Sequence, residues 1–229
     1  MKHHPNTDFT YIPDGAGFSV SQNLHAFRVP KQRFRKGNTY ALSRPNGVIL
    51  FDTTHAVTLD AVLEHLGGRR VLALFISHSD LLKQALGPAA TLSKRYGGAP
   101  VIAHAADTNG DDGVTSLEEA SSLLQELDID YFHIPGHTPG SVLYLATPER
   151  LLFAGDGVVG RPYGSDPAVR SASHAPIPSG DWPQYVEGWA AVPPPVAAVL
   201  PLHGEMLFGP ESLLHAREAA TLPDNVMRE

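Results

Sequence analysis

The chain has 229 residues, of which 42% are hydrophobic and 18% are charged, and its formal net charge is -7. This composition indicates a globular protein, and we expect one domain over 1–229 with a loosely ordered lead-in at 1–17. The acidic balance argues against nucleic acid and anionic membranes as partners, and the lack of cysteine excludes disulfides, thiolate metal sites and a cysteine nucleophile.

The N-terminal residues lack the apolar core of a signal peptide, and no run approaches the ~20 apolar residues of a membrane span. We therefore expect a cytoplasmic protein.

Strand and helix patterns alternate through the first half of the chain. Residues 39–43 and 48–51 read as two strands, because the Asn46-Gly47 pair between them is a strong hairpin signal. The other predicted elements are a half-buried strand within 18–30, a helix at 59–66, a buried strand at 71–76, a helix ending near 96 and a strand at 100–103.

The second half continues with strands and helices around one long irregular segment. The predicted elements are a helix at 116–127, strands at 131–134, 141–146 and 151–153, a helix at 182–192, a strand at 196–200 and a helix at 211–220. Between them, residues 158–179 have little periodicity, and long loops in compact domains are often binding loops. Tyr163 and His174 are its candidate substrate contacts.

Three short apolar runs in this half each end at a glycine beside a side chain that can bind a metal ion. They are 134–140, which carries His137, 152–157, which carries Asp156, and 199–205, which carries His203. A strand end of this kind places a polar group over an apolar core. Together the three runs predict a functional site.

The sequence Ile134-Pro-Gly-His-Thr-Pro-Gly, followed by Gly155-Asp156 and later by His203, resembles the metallo-β-lactamase superfamily from about residue 38 to about 205. The resemblance implies an α+β fold, the four-layer αββα metallo-β-lactamase-type sandwich. Most members of that superfamily are metal-dependent hydrolases. The early hairpin and the run ending at His104 also resemble the superfamily, in which that histidine is generally not a ligand.

The resemblance departs from the superfamily at residues 77–83. The superfamily has His-x-His-x-Asp-His after a strand, whereas this chain has Ser-His-Ser-Asp-Leu-Leu-Lys. In one register His78 matches the first histidine, Asp80 stands at the second, and Leu82 and Lys83 replace the last two ligands. In another register His78 and Asp80 match the inner His-x-Asp pair, and the flanking histidine positions are Ile76 and Leu81.

The resemblance implies a ligand set in either register. Its members are His78, Asp80, His137, Asp156 and His203. Because leucine cannot bind a metal, we expect one divalent ion rather than two, with zinc favoured over iron or manganese. Alternatively the ammonium of Lys83 takes the place of a second ion and neutralises Asp156, and the protein then binds no metal.

Two functions follow from these observations. The first is a mononuclear hydrolase that acts on an ester, thioester or lactone-like small molecule with metal-activated water. Its predicted catalytic residues are Asp156, Lys83 and Asp80, and its predicted substrate contacts are Tyr163, His174 and His55. The second is a catalytically silent protein of the same fold that binds a small molecule or a partner protein.

The sequence allows a homo-oligomer. It has no Gly-x-Ser-x-Gly motif, the nucleophile elbow of many serine hydrolases.

Overall fold

The computed structural model describes residues 13–32, 35–83, 85, 87–108, 110–163, 172–173 and 181–221. Of the predicted lead-in, residues 1–12 lie outside these ranges. The rest of it is attached to the fold, because the backbone N–H of Gly15 donates to the carbonyl of Arg28 at 2.7 Å.

The first half of the chain forms a seven-stranded sheet whose strands lie side by side in chain order. The strands are β1 Gly17–Ser19, β2 Leu24–Gln32, β3 Arg35–Arg44, β4 Gly47–Phe51, β5 Val71–Phe75, β6 Val101–Ala103 and β7 Val114–Ser116. Neighbours from β1 to β4 are antiparallel, and neighbours from β4 to β7 are parallel.

The second half forms a five-stranded sheet and a small pair. The five strands are β8 Ile129–His133, β9 Val142–Ala146, β10 Leu151–Gly155, β13 Ala198–Pro201 and β14 Leu207–Phe208, in the spatial order β14-β13-β10-β9-β8. The segment predicted as an irregular loop contains β11 Val159–Gly160, which pairs with β12 Ala172–Ser173. Strands of two residues are too short to leave a period in the sequence.

The described part of the chain has six α-helices. They are α1 Leu59–Leu66, α2 Ser79–Lys83, α3 Ala89–Arg95, α4 Ser121–Glu126, α5 Trp182–Ala191 and α6 Ser212–Thr221. Helix α4 packs against the cluster between the sheets. The helix predicted at 116–127 begins later, because pairing with β6 draws the chain into β7 first. Within the described ranges, none of the helices combines the length and apolar character that a bilayer span requires.

Three apolar clusters define four layers. The central cluster lies between the sheets, where the ring of Phe51 on β4 stacks on that of Phe153 on β10 at 3.6 Å between centroids. A second cluster joins the outer face of the first sheet to α1 and α3, and a third joins the outer face of the second sheet to α5 and α6. The α+β sandwich implied by the sequence resemblance is confirmed.

One edge of the sandwich collects the ends of strands from both sheets. Strands β8 and β10 both pair antiparallel with β9, and β10 is parallel to β13, so these three strands end on the same side. The end of β5 in the other sheet meets them there, because the hydroxyl of Tyr144 donates to the carbonyl of Ile76 at 2.9 Å. The segments predicted to carry the site therefore converge at this edge.

Candidate metal centre

His78 enters the site from the loop after β5 and is buried, with 3% of its side chain exposed. Its Nδ1 lies 2.9 Å from the hydroxyl of Ser77, which in turn donates to the carboxylate of Asp52 at 2.9 Å. Burial, the largest cause, lowers the pKa of His78, and the nearby Asp156 only partly offsets this effect. His78 is therefore neutral near pH 7, the form that binds metal ions.

Asp52 fixes which nitrogen of His78 carries the proton. When ionised, its carboxylate accepts from the backbone N–H of Ser77 at 2.8 Å and from the Ser77 hydroxyl. The single hydroxyl proton of Ser77 is then committed to Asp52, and Ser77 Oγ accepts from His78 Nδ1–H. The lone pair of His78 is left on Nε2, which faces Asp156.

His137 comes from the loop that follows β8 in the second sheet. This loop is held by its own side chains: the backbone N–H of Thr138 donates to Ser141 Oγ at 3.0 Å, and the two hydroxyls lie 2.8 Å apart. Structural roles for Thr138 and Ser141 fit the Pro-Gly-His-Thr-Pro-Gly pattern. The imidazole of His137 is 18% exposed, and its ring centroid lies 5.1 Å from that of His78.

Asp156 lies between the histidines at the end of β10. Its Oδ2 is 3.4 Å from Nε2 of His137 and 3.7 Å from Nε2 of His78. The preceding Gly155 has φ +51, and a Cβ there would overlap Ser77 Oγ, so only glycine lets β10 approach the loop of His78 this closely.

His203 follows β13 and faces the other oxygen of the same carboxylate. Its Nε2 lies 3.7 Å from Asp156 Oδ1. The backbone around it is fixed on both sides, since Leu202 N–H donates to the carbonyl of Gly155 at 2.8 Å and His203 forms an antiparallel bridge with Gly37.

Asp80 and Lys83 lie on the solvent side of the cluster. Oδ2 of Asp80 is 3.7 Å from Nε2 of His137, and Oδ1 is 3.1 Å from Nζ of Lys83. Although burial opposes ionisation of Asp80, the hydrogen bond and charge of Lys83 bring its pKa below the usual range. The sequence suggested Asp156 as the partner of Lys83, whereas the three-residue spacing on α2 pairs Lys83 with Asp80.

The five predicted ligands thus form one connected cluster, with three of them at its centre. Among the described residues, His78, His137 and Asp156 are the group whose ligand atoms all lie within 4.8 Å of one another. Asp156, and not Asp80, completes this triad. Asp80 and His203 lie beside it, next to His137 and Asp156 respectively.

The donor set and its spacing fit a metal ion. Two ligands of a tetrahedral ion with bonds of ~2.1 Å lie about 3.4 Å apart, close to the distances from Asp156 Oδ2 to the two histidines. Oδ1 of Asp156 is buried and has no hydrogen-bond partner among the described residues. A carboxylate oxygen is costly to leave in this state. A water held by an ion between these side chains would remove that cost if it donated to Oδ1.

The structure describes two of the three predicted substrate contacts, His55 and Tyr163. His55 is partly buried before a short 3-10 helix, Ala56–Thr58, and burial, followed by the charge of His203, lowers its pKa. The hydroxyl of Tyr163 donates to Asn38 Oδ1 at 2.8 Å, and Asn38 Nδ2 donates to the carbonyl of Gly204, so Tyr163 supports the His203 loop. His174 lies outside the described residues.

The sequence did not single out Asp52 and Ser77 as part of the site. Asp52 occupies a left-handed conformation, with φ +57, directly after β4, and burial raises its pKa to about 7. An aspartate just after an apolar strand is a signal that could have marked it, but in the sequence the same position reads as the end of a hairpin strand.

Comparisons with known proteins agree on the fold. No protein-family model matches the sequence, and no curated protein matches it. The structure of DIM-1 metallo-β-lactamase is similar with a TM-score of 0.64 and 14% identity, over 91% of this chain and 97% of that one. FIM-1 from Pseudomonas aeruginosa, in its mono-zinc form, is similar with a TM-score of 0.63 and 19% identity, over 92% and 98%.

A metallo-β-lactamase from Pontibacter korlensis is similar with a TM-score of 0.59 and 16% identity, over 90% of this chain and 99% of that one. These structures match almost the whole described chain while sharing few residues with it. With two histidines and a carboxylate gathered at the edge where both sheets end, the protein has the metallo-β-lactamase fold.

Proposed function

We propose that the protein is a metal-dependent hydrolase with one divalent ion, zinc before iron or manganese, acting on an ester, thioester or lactone of a small molecule. The observation that carries the proposal is the convergence of His78 Nε2, His137 Nε2 and Asp156 Oδ2. Two imidazoles and a carboxylate are a recognised ligand set for these ions.

The ion would be held by His78, His137 and Asp156, with His203 and Asp80 beside them. When bound, it lowers the pKa of water and polarises a carbonyl oxygen. Asp156 Oδ1, which has no hydrogen-bond partner among the described residues, accepts the proton of the attacking water. Lys83 is 58% exposed at the rim, and its ammonium donates to the oxyanion that develops on the substrate.

One observation favours the alternative of a catalytically silent binding protein. Lys83 forms an ion pair with Asp80, a carboxylate that the sequence assigned to the metal. In that alternative the same cluster of side chains binds a small molecule or a partner protein without catalysing a reaction. Metal content separates the two functions.

The test is elemental analysis of protein purified without chelator or metal-affinity tag, together with His137→Ala and Asp156→Ala. The matched control is His215→Ala, which removes an exposed histidine on α6 that pairs with Glu211. We expect about one equivalent of metal in the wild type and the control, and loss of metal in both site variants. A screen of esters, thioesters and lactones then uses the metal-loaded wild type.

Metal below about a tenth of an equivalent, with no uptake when zinc or manganese is added, would refute the hydrolase and leave the binding protein. Metal binding without turnover in the substrate screen would refute the proposed reaction while retaining the metal centre.

A further inference from the structure

A second buried carboxylate, Asp107, lies behind the metal centre without reaching it. It ends the short 3-10 helix Ala105–Asp107 that follows β6 in the first sheet, and it is 1% exposed. Its backbone N–H donates to the carbonyl of His104 at 2.9 Å, which fixes the position of the residue.

The carboxylate of Asp107 accepts hydrogen bonds from both loops that carry a histidine of the triad. Oδ2 accepts from the backbone N–H of Ser79 at 2.8 Å, and Ser79 directly follows His78. The same oxygen accepts from the hydroxyl of Thr138, and Oδ1 accepts from the backbone N–H of Gly140 at 2.9 Å. Thr138 directly follows His137.

These contacts join loops that belong to different sheets. The loop of His78 leaves the seven-stranded sheet, the loop of His137 leaves the five-stranded sheet, and Asp107 is fixed to β6. One carboxylate therefore bridges the gap across which the two histidines face each other, at one residue's distance from each.

We propose that Asp107 is a positioning residue that sets the separation of His78 and His137 and so determines the affinity of the centre for its ion. This assignment rests on the metal centre proposed above. Outer residues that orient ligands contribute about 10- to 100-fold in metal affinity.

The residues around the Asp107 carboxylate leave it no room to move. A Cβ added to Gly140 would lie 2.6 Å from Cγ of Asp107, a distance that real structures do not tolerate. The Thr138 hydroxyl that donates to this carboxylate also lies 2.8 Å from the Ser141 hydroxyl. The carboxylate cannot shift without moving the backbone beside His137.

Asp111 provides a matched control four residues further along the chain. Its Oδ2 accepts from the backbone N–H of Ala89 at 2.8 Å, and its Oδ1 accepts from that of Gly113 at 2.9 Å. It thus performs the same kind of backbone capping in the same region, but these bonds reach neither histidine loop.

The test compares Asp107→Asn with Asp111→Asn by competition for zinc against a chromophoric chelator and by the absorption spectrum of the cobalt-loaded protein. In Asp107→Asn the amide group places a donor against one of the donors that now face the carboxylate. We expect zinc binding about 10- to 100-fold weaker and an altered cobalt spectrum, whereas Asp111→Asn matches the wild type in both.

If Asp107→Asn does not fold, Thr138→Val is the test, because it removes the hydroxyl that donates to Asp107 and that also contacts Ser141. Thr138→Ser keeps the hydroxyl and should retain wild-type zinc affinity. The assignment of Asp107 would be overturned by unchanged zinc affinity and an unchanged cobalt spectrum in Asp107→Asn, or in Thr138→Val if Asp107→Asn does not fold.

Equal weakening of zinc binding in Asp111→Asn would also overturn the assignment, and so would a wild type that takes up no metal. A wild type that binds zinc but hydrolyses nothing refutes the proposed reaction alone.

Discussion

The segments at 76–83 and 134–141 each bring a histidine to Asp156, but they hold these histidines in different ways. His78 is buried and is oriented by a relay from Asp52 through Ser77. His137 is partly exposed, and its loop is held by hydrogen bonds among the residues that follow it. The hydrogen bonds around His78 determine which ring nitrogen carries its proton. Those around His137 instead fix the backbone of the loop that carries it.

The two segments also differ in how closely they match the superfamily pattern. The loop of His137 matches the whole Pro-Gly-His-Thr-Pro-Gly motif, in which the Thr138 hydroxyl bonds to Asp107 and Gly140 leaves room for that carboxylate. The loop of His78 continues into α2, whose outer residues, Asp80 and Lys83, pair with each other at the rim. Substitutions in that outer turn leave the relay behind His78 intact.

The largest effect should come from removing either histidine. We expect His78→Ala and His137→Ala each to weaken zinc binding by about 100-fold or more, since each removes a proposed direct ligand. In chelator, His78→Ala should lose about 2–3 kcal/mol of unfolding free energy because it empties a buried site, and His137→Ala less than about 1 kcal/mol. Zinc competition measures the affinities, and chemical denaturation measures the unfolding free energies. Equal stability losses in the two variants would contradict the difference in burial between His78 and His137.

Asp52→Asn tests the relay itself. The Asn amide would donate to Ser77 Oγ, the Ser77 proton would turn to His78 Nδ1, and the His78 proton would move to Nε2, where it blocks metal binding. We expect zinc binding about 10- to 100-fold weaker. Wild-type affinity in this variant would show that the relay does not set the tautomer.

The same variant has a pH signature in metal-free protein. The folded-state pKa of Asp52 is about 7, raised by burial first and by Asp156 as well, above the ~3.9 of an unfolded aspartate. The stability that its proton contributes is complete below about pH 3.9 and is lost as pH rises through about 7. Denaturation at pH 5 and pH 8 should show a smaller pH-dependent loss in Asp52→Asn than in the wild type.

Gly155→Ala should disturb the loop of His78 through Ser77. A side chain at this left-handed position costs about 1–2 kcal/mol by itself, and its Cβ would lie 2.5 Å from Cβ of Ser77. We expect a total loss of about 2–4 kcal/mol and roughly 10-fold weaker zinc binding. The control is Gly68→Ala, with φ +81 and no atom within 4 Å, which carries only the backbone cost; equal effects on zinc binding would contradict the prediction.

Lys83→Met should have the smallest effect on the metal. The Lys83–Asp80 pair is exposed, and such pairs contribute about 0–1 kcal/mol to stability. We expect zinc affinity within about threefold of the wild type, as for Lys94→Met on the exposed face of α3, but a lower kcat if the reaction proceeds as proposed. A large gain in zinc affinity would instead identify Asp80 as a competing ligand.

Much of this organisation is readable in the sequence, because long apolar strands and glycine-flanked polar residues leave strong local patterns. The hairpin at Asn46-Gly47 and the candidate ligands His137, Asp156 and His203 are examples. What could not be read depends on distant partners. Asp107 looks like any aspartate at the start of a loop, and only the meeting of two sheets gives it Thr138 as a partner.

Because the proposed ligands come from both sheets, an ion bound to them would also link the two sheets of the sandwich. His78 belongs to the first sheet, and His137, Asp156 and His203 follow strands of the second. An ion that joined them would resist separation of the layers that stack at Phe51 and Phe153. At free ion 100 times the dissociation constant this would add about 2.7 kcal/mol, so the equilibrium stability of the folded chain would depend on the supply of metal.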